Sequence, residues 1–123
     1  MDITLLQKAE RGFHAAKNKK ASDVVTLDIR GVSSAADFFM ICSGESTRQV
    51  QAIADEVIAK LKEVGVRPAG IEGYDAAKWI LLDYYDIVVH IFHLDTRKYY
   101  EIERLWEDVP IVEFNDAKIS EDS

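Results

Sequence analysis

The sequence predicts an α/β fold in which helices pack against a mixed sheet of about five strands. Three observations support this prediction. One apolar stripe at helical spacing runs from Val50 to Leu61. Two strand-like segments, residues 79–83 and 87–92, are separated by a very short connection that requires an antiparallel hairpin. Helical and strand patterns also alternate along the 123 residues, and this length fits one domain, residues 1–114, followed by a polar tail, residues 115–123.

The chain is predicted to begin with a helix and a strand. Apolar residues recur at helical spacing from Ile3 to Lys20, and Asp2 is a suitable N-cap for this helix. Residues 24–29 are rich in β-branched side chains, which favour a strand. Residues 30–36 are expected to form a loop.

A second strand and a second helix follow this loop. Residues 37–43 form a continuous apolar run, which is typical of a strand covered on both faces. Ser46, with Gln49 at the capping-box spacing, is expected to begin the second helix. Gly65 is expected to end this helix at the C′ position.

The second half is predicted to contain a short strand, the hairpin and a last helix. Pro68 would confine the strand at residues 67–72 to a sheet edge or to its own first residues. A loop at residues 73–77 leads into the hairpin. The last helix is expected to be capped by Asp95 or Thr96 and to end before Pro110.

Composition limits the classes of function. The net charge of −7 and the pI of about 4.9 indicate a protein that nucleic acid repels, so work near RNA would proceed through contact with a basic protein. Cys42 is the single cysteine, which excludes an internal disulfide and a thiolate metal site. The sequence has no apolar run of about 18 residues and no basic, then apolar, leader, so we expect a cytoplasmic protein.

Three kinds of chemistry can be tested against the residue pattern. The turn at residues 43–47 could hold an anion at a helix N-terminus, but Glu45 opposes this and a capping serine explains the turn. A nucleotidyltransferase site requires a D-x-D pair on a strand, which this sequence lacks, because Asp83 and Asp86 flank a hairpin turn. We therefore expect no metal site and no cofactor.

A nucleophilic site would need Cys42 or Ser46 together with His90 or His93. Cys42 lies inside an apolar strand, where a free cysteine usually acts as a small hydrophobe. The two histidines are three residues apart on a strand and should point to opposite faces. No set of nucleophile, base and orienting group emerges, so we expect a protein that is not an enzyme.

Aromatic and acidic residues are concentrated between residues 72 and 106. Trp and Tyr dominate interface hot spots, but they also fill the cores of small sheets. The core interpretation is the better one for Phe92, Leu105 and Trp106. For three residues at the start and tip of the hairpin, the sequence leaves exposure and burial equally open: Trp79, Tyr84 and Tyr85.

Three sequence blocks together resemble the ribosomal silencing factor family, RsfS, also known as Iojap-like proteins. The first, DFFMICSGESTRQV at residues 37–50, is similar to the family's D-[YF]-F-[VI]-I-[CA]-[ST]-G-x-S-x-x-[QH]-[VI]. The second, Glu72-Gly73 followed by WILLDYYDIVVHIF at residues 79–92, resembles E-G…W-[VI]-L-[LI]-D-[YF]-G-D-[VI]-[VI]-V-H-[VI]-F. The third, RKYYEIERLW at residues 97–106, resembles R-x-[FY]-Y-x-[LI]-E-x-L-W.

The resemblance implies a role on the ribosome. Family members bind uL14, the large-subunit protein numbered fourteen, and hinder association with the small subunit, which represses translation. Organellar relatives act in large-subunit assembly or translation, and free family members are often homodimers. The fold is expected to be similar to that of nucleotidyltransferases without the catalytic carboxylates. Two alternatives remain open: a nucleotide-binding enzyme on such a fold, or a large-subunit assembly factor.

The matching motif positions imply a partner-binding surface on the sheet and hairpin: Glu72, Lys78, Trp79, Asp83, Asp86 and His90, with Tyr84 and Tyr85 at its border. Tyr85 replaces the family's usual glycine in the hairpin turn. A bulky residue resists positive φ, so this position either carries strain or forms another type of turn. His90 is either a pH-sensitive contact or a core residue.

Overall fold

The computed structural model of the protein describes residues 3–114, which fold into helices packed on a mixed sheet. The α/β prediction is therefore confirmed. The elements in chain order are α1 (Leu5–Asn18), β1 (Ser22–Asp28), β2 (Phe38–Gly44), α2 (Thr47–Lys62), β3 (Gly70–Glu72), β4 (Trp79–Asp83), β5 (Ile87–His93), α3 (Leu94–Tyr99), a 3-10 helix (Ile102–Trp106) and β6 (Ile111–Val112).

The sheet has the strand order β3-β4-β5-β2-β1-β6, and only the central β2–β5 pairing is parallel. The β4–β5 hairpin is antiparallel, as predicted. A parallel pairing needs a long crossover, which α2, β3 and β4 supply between β2 and β5. Of the described strands, β3 and β6 lie at the two edges, and Pro68 precedes β3, as a proline near a sheet edge should.

The two faces of the sheet are covered differently. Helices α1 and α2 cover one face, which we call the helix face. The sheet side chains buried beneath them include Phe38, Met40, Ile80, Leu82 and Val89. On the other face, the second face, Ile102 of the 3-10 helix packs with a smaller group that includes Leu27, Ile41 and Phe92. This unequal cover leaves the β4 part of the second face accessible.

Helix α1 begins later than predicted. Its N-cap is Thr4, whose hydroxyl accepts from the Gln7 backbone N–H while the Gln7 side chain accepts from the Thr4 N–H, which forms a full capping box. Asp2, the predicted cap, lies outside the described residues. The prediction failed because Thr4 offers the same capping chemistry with a matching residue three positions on.

Helix α2 begins and ends as predicted. The Ser46 hydroxyl accepts from the Gln49 N–H, but the Gln49 carboxamide oxygen accepts from the N–H of Glu45, not of Ser46. At the other end, Gly65 has φ +81°, and the Val66 N–H donates to the Leu61 carbonyl across the turn. This arrangement is the Schellman motif that a C′ glycine permits.

The segment after β5 departs most from the prediction. His93, not Asp95 or Thr96, caps α3, and its Nδ1 accepts from the Asp95 N–H. The helix ends at Tyr99, and Glu101 takes up a left-handed conformation with φ 51° before the 3-10 helix begins. A sixth strand, β6, was not predicted because it has only two residues.

Candidate functional site

Four of the eight residues that the resemblance implicates share the second face of the sheet. Strand pairing sets Leu81 of β4 opposite Glu72 on β3 and opposite His90 on β5. Opposite residues share a face, and so do residues two apart on one strand, so Trp79 and Asp83 join them. We call this group the β4–β5 surface: Glu72, Trp79, Asp83 and His90.

The indole of Trp79 is held in place by a hydrogen bond to His90. The Trp79 Nε1–H donates to His90 Nδ1 over 3.1 Å, and the Trp79 ring packs 4.8 Å from the Phe92 ring, centroid to centroid. One side of the indole therefore rests on the sheet, while 41% of the residue stays exposed. A large ring that is both fixed and exposed loses little conformational entropy when a partner covers it.

His90 is a core residue, which answers the question that the sequence left open. Only 9% of it is exposed, and its ring meets the Phe39 ring at 4.7 Å in a T-shaped contact. Burial lowers the pKa of His90 to about 4, so the ring is neutral at pH 7. Because Nδ1 accepts from Trp79, the proton lies on Nε2. His90 therefore supports the β4–β5 surface by orienting Trp79.

Gly73 allows the loop before β4 to pack against Trp79. Its φ is +76°, and a Cβ at this position would overlap the carbonyl oxygen of Trp79. The next residue fastens the loop to α2, because the Tyr74 hydroxyl donates to Asp55 over 2.9 Å and the Gln51 carboxamide donates to the Tyr74 carbonyl. The glycine of the Glu72-Gly73 pair in the second sequence block therefore allows the close approach of this loop to Trp79.

The other four implicated residues do not form one group with the β4–β5 surface. Lys78 is exposed just before β4. Tyr84 is buried among the side chains of the helix face, and a buried ring cannot form a direct contact there. Asp86 is engaged with helix α1 through a 2.8 Å ion pair with Lys8. Tyr85 is 77% exposed at the hairpin tip.

The hairpin tip combines the two possibilities that the sequence offered for Tyr85. Its φ is +70°, and the Asp86 N–H donates to the Tyr84 carbonyl across it, which defines a γ-turn with positive φ. The Tyr85 N–H also donates to the Asp83 carboxylate over 2.8 Å. The turn is therefore not of the I′ type, and its central residue is strained as well.

Sequence reasoning assigned the aromatic residues after β5 to the last helix and expected Leu105 in the core. The structure instead exposes 77% of Tyr99, 57% of Tyr100 and 61% of Leu105. The prediction for Leu105 was wrong because the 3-10 helix turns Ile102 inward instead. Phe92 is buried as expected. Trp106 is partly buried, and the Cζ atom of Arg97 lies 5.6 Å from the centroid of its ring.

Arg97 was also missed, because nothing in the sequence distinguishes a buried arginine from an exposed one. It is 3% exposed and donates to the Asp23 carbonyl, to the Ser43 hydroxyl and to the Glu103 carboxylate at 2.8–3.0 Å. These bonds fasten α3 and the 3-10 helix to the sheet. Three accepting groups satisfy the buried charge, which would otherwise be costly.

The residues considered for catalysis hold structural positions. Burial raises the pKa of the Cys42 thiol to about 12, which keeps it protonated and poorly nucleophilic. Ser46 caps α2, and the Ser43 hydroxyl accepts from Arg97. Within residues 3–114, no group of three or more His, Cys, Asp or Glu side chains could hold a metal ion.

Acidic charge is concentrated in the part of the chain that builds the β4–β5 surface. Residues 70–108 contain nine Asp or Glu and four Lys or Arg, whereas residues 1–69 contain nine acidic and ten basic residues. Most of the net charge of −7 therefore lies with the β3–β5 strands and the segment that follows them. Of these acidic residues, Glu72 and Asp83 lie on the β4–β5 surface itself.

No helix among the described residues is both long enough and apolar enough to cross a membrane.

Comparisons with known proteins agree on one family. Residues 3–123 match the RsfS family, described as "Ribosomal silencing factor during starvation". The chain is 50% identical to ribosomal silencing factor RsfS of Halalkalibacterium halodurans over 109 residues, covering 89% of this chain and 91% of the relative. It is 46% identical to RsfS of Bacillus subtilis over 101 residues, covering 82% and 86%.

Structural comparison gives the same result. A crystal structure of a protein from Chromobacterium violaceum superposes with a TM-score of 0.82 at 34% identity, covering 94% of this chain and 98% of that one. A more distant relative is the mouse protein "Mitochondrial assembly of ribosomal large subunit protein 1", 31% identical over 73% of this chain and 41% of the relative. The chain therefore belongs to the RsfS family of ribosomal silencing factors.

Proposed function

We propose that this chain docks on the large ribosomal subunit by binding uL14 through the β4–β5 surface, and that it thereby blocks association with the small subunit. The repression of translation would be steric, since the bulk of the domain would occupy space that the small subunit needs. Membership of the RsfS family is the main support for this proposal. The protein would act in the cytoplasm, where ribosomes are found.

The observation that carries the proposed contact is the Trp79–His90 pair in an acidic setting. Trp79 is exposed but fixed by its 3.1 Å hydrogen bond, and Glu72 and Asp83 share its face. An aromatic residue that shares a sheet face with two carboxylates suits a basic protein surface, because the ring supplies buried area and the charges supply orientation and encounter rate. Lys78 and Tyr85 would lie at the border of this contact.

Two of the implicated residues take supporting roles in this proposal. Tyr84 is buried against the helices, and Asp86 holds the hairpin to α1 through Lys8. Their effect on docking would be indirect, through the position of the hairpin tip. The free protein is proposed to be a homodimer.

No chemical step is required for steric repression, so we propose that the protein is not an enzyme and needs no cofactor. The nucleotidyltransferase-like arrangement stays a prediction. Addition of magnesium and a nucleoside triphosphate should leave the thermal melting temperature unchanged. A magnesium-dependent thermal shift or nucleotide turnover would favour the nucleotide-binding alternative.

Sucrose-gradient sedimentation with purified ribosomal subunits tests the proposal. The wild-type protein should travel with the large subunit, and Trp79→Ala should stay at the top of the gradient. Leu6→Ala is a matched control, because Leu6 is 55% exposed on α1, across the sheet from the β4–β5 surface. Thermal melts must show that both variants are folded, since Trp79→Ala leaves His90 Nδ1 without its donor.

A second candidate function, assembly of the large subunit, is favoured by the name of the mouse relative. Silencing and assembly would use the same docking surface and differ in the particle that is bound. Sedimentation of lysates from cells that lack the protein separates the two. Accumulation of large-subunit precursors would support assembly, whereas a normal subunit profile with excess joined ribosomes in starved cells would support silencing.

A further inference from the structure

Three exposed aromatic rings form a continuous line from the sheet to the end of α3. The Tyr100 ring centroid lies 6.2 Å from that of Trp79 and 4.9 Å from that of Tyr99. Exposure rises along the line, from 41% at Trp79 to 57% at Tyr100 and 77% at Tyr99. We call these residues the aromatic ridge. A contiguous group of exposed rings is typical of an interaction site, whereas single exposed apolar residues are not.

The backbone beneath the aromatic ridge is firmly held. Arg97, two residues before Tyr99, is buried and bonded to β1, to β2 and to Glu103. On the other side, Ile102 is buried against the sheet, and the left-handed residue Glu101 turns the chain between the two anchors. The two tyrosines therefore project from a fixed junction, which lowers the entropy lost on binding.

The charge of the residues around the aromatic ridge indicates which kind of partner it can bind. The segment at residues 95–108 carries five acidic and three basic residues, and two of its basic residues are paired within it, Arg97 with Glu103 and Arg104 with Glu101. A second copy would bring the same acidic region against itself, and like-charge contacts are costly. Nucleic acid would be repelled for the same reason. A protein surface rich in Lys and Arg is attracted, and its cations can stack on tyrosine faces.

We propose that the docking site extends beyond the β4–β5 surface onto the aromatic ridge, where Tyr99 and Tyr100 bind Lys or Arg side chains of a basic protein on the large subunit. This inference rests on the proposed function and enlarges its contact surface. Trp79 belongs to both parts and joins them. The tyrosines are then anchors in their own right, since more than half of each residue stays exposed beside its aromatic neighbours.

Pelleting of the protein with purified, salt-washed large subunits through a sucrose cushion, over a range of protein concentrations, tests this inference. Tyr99→Ala and Tyr100→Ala should each weaken binding roughly tenfold, as expected for a partly exposed hot spot. Tyr99→Phe should bind like the wild type, because it keeps the ring. Leu6→Ala is the control with similar exposure on the other side of the molecule.

The outcomes separate this inference from the function on which it rests. If Trp79→Ala loses binding while both tyrosine variants bind like the wild type, the inference is overturned and the proposed function stands. If the wild-type protein does not pellet with large subunits, both are overturned. Sedimentation velocity of the free variants supplies a third result. Loss of self-association with unchanged subunit binding would make the ridge a contact between copies and overturn the inference.

Discussion

His90 should make the stability of the protein sensitive to mild acid. Its ring is buried and neutral, with a folded-state pKa of about 4 compared with 6.5 for an ordinary histidine. The unfolded chain therefore binds more protons than the folded chain between these two values. The stabilisation is fully present above pH 6.5 and is lost as the pH falls towards 4.

The size of the effect follows from the two pKa values. Between pH 7 and pH 5, the linkage relation gives a loss of about 2 kcal/mol in the free energy of unfolding from His90 alone. This is a substantial part of the stability of a small domain, which is typically about 5–15 kcal/mol.

Urea denaturation at pH 7 and pH 5 measures this loss in the wild type and in His90→Gln. Glutamine does not titrate, and its carboxamide oxygen can still accept from the Trp79 indole. The wild type should lose about 2 kcal/mol more than the variant over this interval. Equal losses in the two proteins would show that His90 is not buried as a neutral residue, and the reasoning about the Trp79–His90 pair would fail.

Three further predictions concern residues that shape the site, each measured as the free energy of unfolding in urea. Tyr85→Gly should raise stability by about 1 kcal/mol because it relieves positive φ, whereas Tyr85→Ala should not. Gly73→Ala should lower stability by roughly 3 kcal/mol, since the new Cβ overlaps the Trp79 carbonyl; a loss below about 1 kcal/mol would contradict the packing. Arg97→Lys should lower it by about 2 kcal/mol because an ammonium group cannot reproduce the three bonds, and an unchanged midpoint would refute this role.

Much of the fold could be predicted because several helices and strands carry strong local signals. The stripe from Val50 to Leu61 and the glycine at position 65 define α2, and the short connection after Asp83 defines the hairpin. The period-two alternation of side chains along β4 also predicts whether Tyr84 is buried or exposed. It continues the series of Ile80 and Leu82, whose side chains face the helices, so its burial there follows from spacing.

The segment after β5 could not be predicted because tertiary contacts determine it. No local pattern signals that Glu101 adopts a left-handed conformation or that Arg97 is buried beside Ser43. The exposure of Tyr99 and Tyr100 depends on both features. The sequence motifs led to Trp79 and its strand neighbours but not to the aromatic ridge, and the partner-binding role of both groups stays a prediction.

Subunit joining followed by light scattering tests the central claim most directly. Large subunits are first incubated with the protein over a range of concentrations, small subunits are then added, and the scattering of joined ribosomes is recorded. The proposed function predicts that the wild type lowers the joined fraction in proportion to its occupancy, while Trp79→Ala permits normal joining. Full joining by large subunits that still carry the wild-type protein would contradict steric repression.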